Sequence, residues 1–390
     1  MRYSFAKRAK NQRRSFVREI LDLTQKRSII SFAGGLPDSK LFPTKEIEQE
    51  IKETLKLGKE IFQYSSAQGL EELREEISKE YIGTDKEEIL ITSGSQQGLD
   101  LICKTFLDKG DEVVVESPTY LAALNLFDMF EVQITSVELT SRGVDIDKIE
   151  KIFETKKPKL FYTIPTFQNP TGWSWDIEIK EKVAKLARKH GVIIIEDSPY
   201  NRLRYSGFAS KNFDELLPEL TISLGTFSKI LAPDFRIGWI KAPKELIKIL
   251  QTMKENSDLQ SSRFFQYIAV NLIKNKKLSL HVESLIEDYR NKRDCMANAL
   301  EEEFGDDIEF DIPKGGMFFW IKFTDIDSMK LFESSIKKGV AFVPAETFFS
   351  ETKSSSYARL NFTSSSCTQI QDGIKRIKEA YRALVSSCLI

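Results

Sequence analysis

The feature that most constrains this 390-residue chain is an alternation between two periodicities. Short apolar runs bounded by turn residues recur as "EILITSG", "DEVVVESP", "VQITSVEL", "KLFYTIP", "GVIIIEDSP", "TISLGTFS" and "RIGWIKAP". Between and before them lie segments with apolar residues three and four apart, such as "TKEIEQEIKETLKL", "GLEELREEISKEY" and "DIEIKEKVAKLARKHG". Gly191 closes the last of these as a helix stop. Strands that are apolar on both faces need cover on both faces, and intervening helices supply it. A mostly parallel central sheet with helices on both sides follows. From about residue 275 the pattern changes, with one long helical stretch, then alternating strands in "GGMFFWIKF" and "SYARLNF", then a final helix. That reads as a smaller α+β domain, as expected of a chain too long for one core. The expected division is an amino-terminal arm and lid helix at 1–44, packing with the small domain, a large domain at 45–274 and the small domain at 275–390.

Charge and cysteine usage remove several functions. Basic and acidic residues nearly cancel, 57 against 58, so no overall field recruits nucleic acid. The apolar run "VIII" at 192–195 is strand-sized and far short of a membrane span. Cys103, Cys295, Cys367 and Cys388 form no CxxC pair, and His190 and His281 are the only histidines. A metal centre or a Ser-His-Asp triad is therefore not expected. A reducing, cytoplasmic setting is the simplest reading. The first acidic residue, Glu19, follows seven basic ones, which we read as a surface arm leading into a helix. It lacks the apolar core of a secretory signal.

In open parallel sheets, ligands bind beyond the carboxyl ends of the strands. Five loops there are polar: "TSGSQQG", "ESPTY", "PTFQNPTG", "EDSPY" and "GTFSK". The first is a glycine turn entering a helix, where Ser95 and Gln96 serve either as ordinary caps or as an anion site. Asp197 ends an apolar strand and reads either as a helix cap or as the partner of a protonated pyridine nitrogen. Tyr200 and Asn169 offer donors to a phenolate-like oxygen. Arg236 offers a bidentate fork to a phosphate, with Thr226 and Ser228 adding hydroxyls. Lys229, set among Leu224, Phe227, Ile230 and Leu231, supplies an amine able to form an imine with an aldehyde. Phosphate, pyridinium, phenolate and aldehyde on one small molecule describe pyridoxal 5′-phosphate.

On these residues the chain resembles the fold-type I, pyridoxal phosphate-dependent aminotransferases of class I/II, closest to the 2-aminoadipate/kynurenine branch. The resemblance runs through "SFAGGLPDSKLFP", "QYSSAQGLEELRE", "ITSGSQQGLDL", "FQNPTG", "EDSPY", "TFSKILAPDFRIGW", "PKGGMFFW" and "ARLNF". It implies that Lys229 forms the imine, that Asp197 pairs with the ring nitrogen and that Asn169 and Tyr200 meet the ring oxygen. Tyr120 stacks on the ring, and Ser95, Gln96, Thr226, Ser228 and Arg236 hold the phosphate. The same likeness gives the substrate carboxylate to Arg359 and the pocket wall to Gly35. Tyr64 reaches the partner's phosphate in a homodimer. Arg18, in a helix with Phe16, Val17, Ile20, Leu21 and Leu23, meets the distal carboxylate of an acidic donor or else stays on the surface beside Asp22. Asp234 and Ala345 stand where the family usually has glycine. The reaction implied is amino transfer from an L-amino acid (2-aminoadipate, glutamate, aromatic or branched-chain) to a 2-oxo acid. The rivals are another reaction of the same cofactor, such as β-elimination or decarboxylation, or a regulator carrying this domain.

Overall fold

The computed structural model describes residues 3–10, 16, 18–20, 22, 29–351 and 355–388. Val17, Leu21 and Leu23 lie outside the described residues.

Eight strands form the central sheet: β2 (Ile89–Thr92), β3 (Glu112–Ser117), β4 (Gln133–Thr140), β5 (Gly143–Val144), β6 (Leu160–Thr163), β7 (Ile193–Asp197), β8 (Thr221–Thr226) and β9 (Gly238–Lys241). Their spatial order is β2-β9-β8-β7-β6-β3-β4-β5. The five strands from β8 to β4 pair in parallel. Alternate residues point to opposite sides. Val113, Val115, Tyr162 and Ile195 enter one apolar layer, while Val114, Phe161 and Ile194 enter the other. Complete burial of each such side chain contributes about 1.5–3 kcal/mol, so the two faces demand helical cover on both. The helix Ile177–His190 supplies part of it and ends at Gly191, whose φ is +69°. The exceptions to the parallel rule are β5, antiparallel to β4, and β9, which runs antiparallel to β8 and β2. The connection at 227–237 is too short to hold a crossover helix, so the chain doubles back.

A second sheet joins β10 (Ile308–Phe310), β11 (Phe318–Phe323), β14 (Tyr357–Asn361) and β13 (Val343–Pro344), all antiparallel. It is flanked by the long helix Lys277–Phe304 and the final helix Cys367–Cys388. Two short strands, β1 (Ile30–Ser31) and β12 (Val340–Ala341), pair in parallel and attach the amino-terminal segment to this later part. Ile20 and Phe32 are buried in the same apolar cluster, and the Phe16 ring meets Phe332 edge-on at 5.5 Å. Among the described residues, no helix is long and apolar enough to cross a membrane.

Candidate active site

The carboxyl ends of β2, β7 and β8 converge on one cavity of about 390 Å³. At its floor, β2 turns at Gly94 into the helix Ser95–Phe106. Gly94 has a φ of +91°, and a Cβ there would lie 2.6 Å from Nη2 of Arg236. Glycine is required both by the backbone and by the guanidinium beside it. Arg236 follows the short turn Pro233–Phe235 and has a φ of +49°. Its Nη2 donates to the Ser93 carbonyl at 2.9 Å, which tethers the guanidinium beside the helix amino terminus. Thr226 ends β8, and its hydroxyl lies 3.0 Å from that of Ser228. Ser95, Gln96, Thr226, Ser228 and Arg236 all line the cavity. Free helix N–H groups, hydroxyls and a guanidinium make a cup for a dianion.

Above the cup, Asp197 ends β7 and is buried. Its Oδ2 accepts from the Tyr162 hydroxyl at 2.8 Å, whereas its Oδ1 is buried without a partner among the described residues. Burial pushes this carboxyl up to about 6, against the opposing effects of Tyr162 and Lys229. A buried oxygen left unpaired is costly, and a protonated ring nitrogen is the donor that would satisfy it. Lys229 lies beyond β8 with its Nζ donating to the Gly35 carbonyl at 2.8 Å. Burial, then the positive charges of Arg359 and Arg236, bring its amine down to about 8. Asn169 is buried with its amide against the Tyr200 hydroxyl, and burial raises the Tyr200 phenol. Tyr120, also on the cavity wall, is pushed up to about 12 by burial. The residues present fit pyridoxal phosphate at each of its charged groups.

The far wall comes from the smaller sheet. Arg359 on β14 is buried, and burial lowers its guanidinium to about 10. Its Nη1 donates to Asn169 Oδ1 at 2.7 Å and its Nη2 to the Ala33 carbonyl at 2.5 Å. It sits 4.3 Å from the Phe318 ring centre and 5.0 Å from that of Phe348. Its Nε is buried and unpartnered, and no carboxylate among the described residues pairs with it. A buried cation without an anion calls for an acidic ligand. Gly35 faces this wall, where a Cβ would approach Phe318 to 3.2 Å.

Two residues expected at the site are not among those lining the cavity. Tyr64 is 74% exposed, and Arg18 is helical and exposed, forming no ion pair with Asp22 among the described residues. In the other direction, the sequence pattern does not single out Tyr162, Phe318 or Phe348. Each sits in an apolar run and reads as core. Only the register that sets Tyr162 beside Ile195, two residues before Asp197, gives its hydroxyl a task. The two departures from glycine are benign. Asp234 lies in the turn Pro233–Phe235 and Ala345 in the turn Ala345–Phe348, and neither has a positive φ.

The profile of the family described as aminotransferase class I and II matches residues 28–377. Aromatic-amino-acid aminotransferase 1 of Thermococcus litoralis is 40% identical, over 97% of this chain and 94% of its own. The 2-aminoadipate transaminase of Thermus thermophilus is 33% identical over 98% of each chain. Among solved structures, a kynurenine aminotransferase of Pyrococcus horikoshii, in complex with PMP, superposes with a TM-score of 0.93 at 40% identity, covering 98% of this chain and 97% of that one.

Proposed function

This chain belongs to the class I and II aminotransferases and uses pyridoxal 5′-phosphate, and from that premise we propose that it moves the amino group of aromatic amino acids and 2-aminoadipate, with glutamate and branched-chain donors also accepted, to a 2-oxo acid such as 2-oxoglutarate. The names of its relatives support the aromatic and 2-aminoadipate part of that range. The observation that carries it is the convergence of Lys229, Asp197 and the acid-free Arg359 on one cavity. When bound, the cofactor supplies an aldehyde that takes up the donor's amine and a protonated ring that accepts electrons released at its Cα.

Each residue then has a task. Ser95, Gln96, Thr226, Ser228 and Arg236 bind the phosphate, and Asp197 Oδ1 holds the proton on the ring nitrogen. Asn169 and Tyr200 hydrogen-bond the ring oxygen, and Tyr120 covers one ring face. Arg359 takes the donor's α-carboxylate, with Phe318 and Phe348 excluding water around it. Lys229 Nζ would hold the cofactor's aldehyde end and would remove the donor's α-proton; its lowered pKa suits a base working near neutrality. Arg18 closes over acidic donors on the amino-terminal helix.

The same proposal includes a homodimer in which Tyr64 completes the partner's phosphate cup. Leu55, Leu57, Phe62 and Tyr64 are large, exposed and close in sequence, which supports a covered face. It includes the division at 1–44, 45–274 and 275–390, supported by the Phe16 ring against Phe332 and by the pairing of β1 with β12. Cytoplasmic residence is supported by free Cys103, Cys295 and Cys367. The test is a panel of amino donors with 2-oxoglutarate, assayed for glutamate and for ammonia. Stoichiometric glutamate from aromatic donors and 2-aminoadipate is expected; ammonia in place of glutamate would overturn the reading. Mixing Tyr64→Phe with Lys229→Ala is expected to restore activity through one intact site per heterodimer, and a monomer by light scattering would reject the dimer.

A further inference from the structure

Behind the loops that carry Tyr120 and Asn169 lies a carboxylate with no task in the transfer itself. Glu116, on β3, is 1% exposed. Its Oε1 accepts from the Thr163 hydroxyl at 2.7 Å and from Trp175 Nε1 at 2.9 Å. Its Oε2 accepts from the Ile164 N–H at 3.1 Å and from Gln168 Nε2 at 3.2 Å. All four donors come from one segment, the end of β6 and the loop after it. Gln168 carries the connection onward. Its Nε2 also donates to the Pro118 carbonyl at 2.8 Å, and its Oε1 accepts from the N–H and hydroxyl of Thr171, both at 2.9 Å. The next residue is Asn169, whose Oδ1 holds Arg359. On the other side, the Thr119 N–H donates to the carbonyl of Phe348, whose ring flanks the same guanidinium.

We propose that Glu116 is a positioning residue for recognition of the substrate carboxylate. By gathering four donors it locks the Asn169 loop against the Tyr120 loop, and through Asn169 and Phe348 it sets the direction in which Arg359 faces the cavity. The chemistry selects glutamate over its nearest substitutes. Burial pushes the Glu116 carboxyl up to about 7 while its four donors oppose that shift; in its ionised form the carboxylate offers only lone pairs, and all four partners offer hydrogens. A glutamine would turn an NH₂ group toward at least one of them, and neither the Ile164 N–H nor the Trp175 N–H can reverse its role. An apolar residue would take the acceptor from Thr163, Ile164 and Trp175 and leave Gln168 Nε2 with the Pro118 carbonyl alone, at a desolvation penalty for each lost bond. The inference rests on the assignment of Arg359 to the α-carboxylate.

The experiment uses the cofactor-loaded enzyme and three variants: Glu116→Gln, Trp175→Phe and Arg359→Gln. Trp175→Phe removes one donor to Glu116 outside the cavity and keeps the test open should Glu116→Gln fail to fold. Each variant is measured for KM and kcat, for melting temperature, and by calorimetry for binding of 3-phenylpropionate, an unreactive carboxylate. Glu116→Gln is expected to raise KM for donor and oxo acid, and Kd for 3-phenylpropionate, together by about tenfold, with kcat falling less than about threefold. Trp175→Phe is expected to shift the same quantities the same way by about two- to threefold. A lower melting temperature with KM and Kd unchanged in both would overturn the proposal and leave Glu116 a core residue. Should Arg359→Gln itself leave 3-phenylpropionate binding intact, the assignment of Arg359 fails. Should Arg359→Gln abolish binding while Glu116→Gln does not alter it, the inference about Glu116 fails alone.

Discussion

The two ends of the cavity are built in opposite ways. The phosphate and ring end comes from strands of one sheet: β7 and β8 each deliver a polar group two residues past their last apolar side chain, Asp197 and Thr226, and β2 leads through Gly94 to Ser95. The substrate end is assembled across the chain. Gly35 comes from the amino-terminal segment, Asn169 from the loop after β6, and Arg359 from the second sheet, 190 residues beyond Asn169. One end inherits its rigidity from the hydrogen-bond ladder of the central sheet. The other depends on a few side-chain bonds between separate layers. On the proposed reading, the phosphate and ring of the cofactor would sit at the rigid end, and the donor's α-carboxylate at the end assembled from distant segments.

The sharpest break of this contrast is at the rigid end. Lys229→Ala removes the proton-moving amine and is expected to lower turnover by about 10⁴-fold. After borohydride reduction, mass spectrometry is expected to find the cofactor's mass on Lys229 of the native enzyme and on no lysine of the variant. Normal turnover in Lys229→Ala would sink the assignment.

Asp197→Asn keeps an oxygen for Tyr162 but alters the group facing the ring nitrogen. Turnover is expected to fall by about 10³-fold. Stability of the cofactor-free protein is expected to move the other way. Burial raises the folded-state pKa of Asp197 from 3.8 to about 6, so ionisation in the fold becomes a cost as pH climbs through that interval and stays in full above it. At about pH 8 the cofactor-free variant is therefore expected to be more stable than the parent by about 1–3 kcal/mol, with the gap vanishing near pH 4. Thermal melts at the two pH values check this; a less stable variant at the higher pH contradicts it.

The lowered pKa of Lys229 sharpens the comparison further. Only the neutral amine attacks an aldehyde, so capture of the cofactor by the cofactor-free protein is expected to accelerate about tenfold per pH unit and to level off above about pH 8. A rate still climbing toward the ordinary lysine pKa of 10.5 would show that the amine is not perturbed in solution.

The smallest effect is expected at the substrate end. Arg18→Ala is expected to lower kcat/KM for 2-aminoadipate and glutamate by about tenfold while leaving leucine and phenylalanine within about twofold. Equal effects on both donor classes would leave Arg18 a surface residue.

Much of the rigid end is legible in the amino-acid sequence, because it is local. An apolar run predicts a strand, the first polar residue after it predicts the strand's carboxyl end, and parallel topology brings those ends together. That rule puts Asp197 and Thr226 at strand ends, while Lys229, three residues past β8, takes its expected role from the chemistry of its amine and from the family resemblance. Ser95 and Asp197 each admit a bland alternative as a cap, and the unpaired Oδ1 of Asp197 speaks for a ligand. The antiparallel course of β9 and the two-residue pair β1–β12 carry no usable pattern, being decided by loop length and by docking.

What the sequence determined by itself was therefore the sheet, its helical cover and the order in which polar groups leave the strands, since periodicity and turn chemistry act over a few residues. What only the tertiary structure decided was which distant groups meet. Arg359 gains its meaning from Asn169 and Ala33, and Tyr162 from Asp197; Glu116 gains its own from four donors on a neighbouring loop. The physical reason is that a buried polar group is stable only when its partners close around it, and those partners are chosen by packing in three dimensions rather than by spacing along the chain.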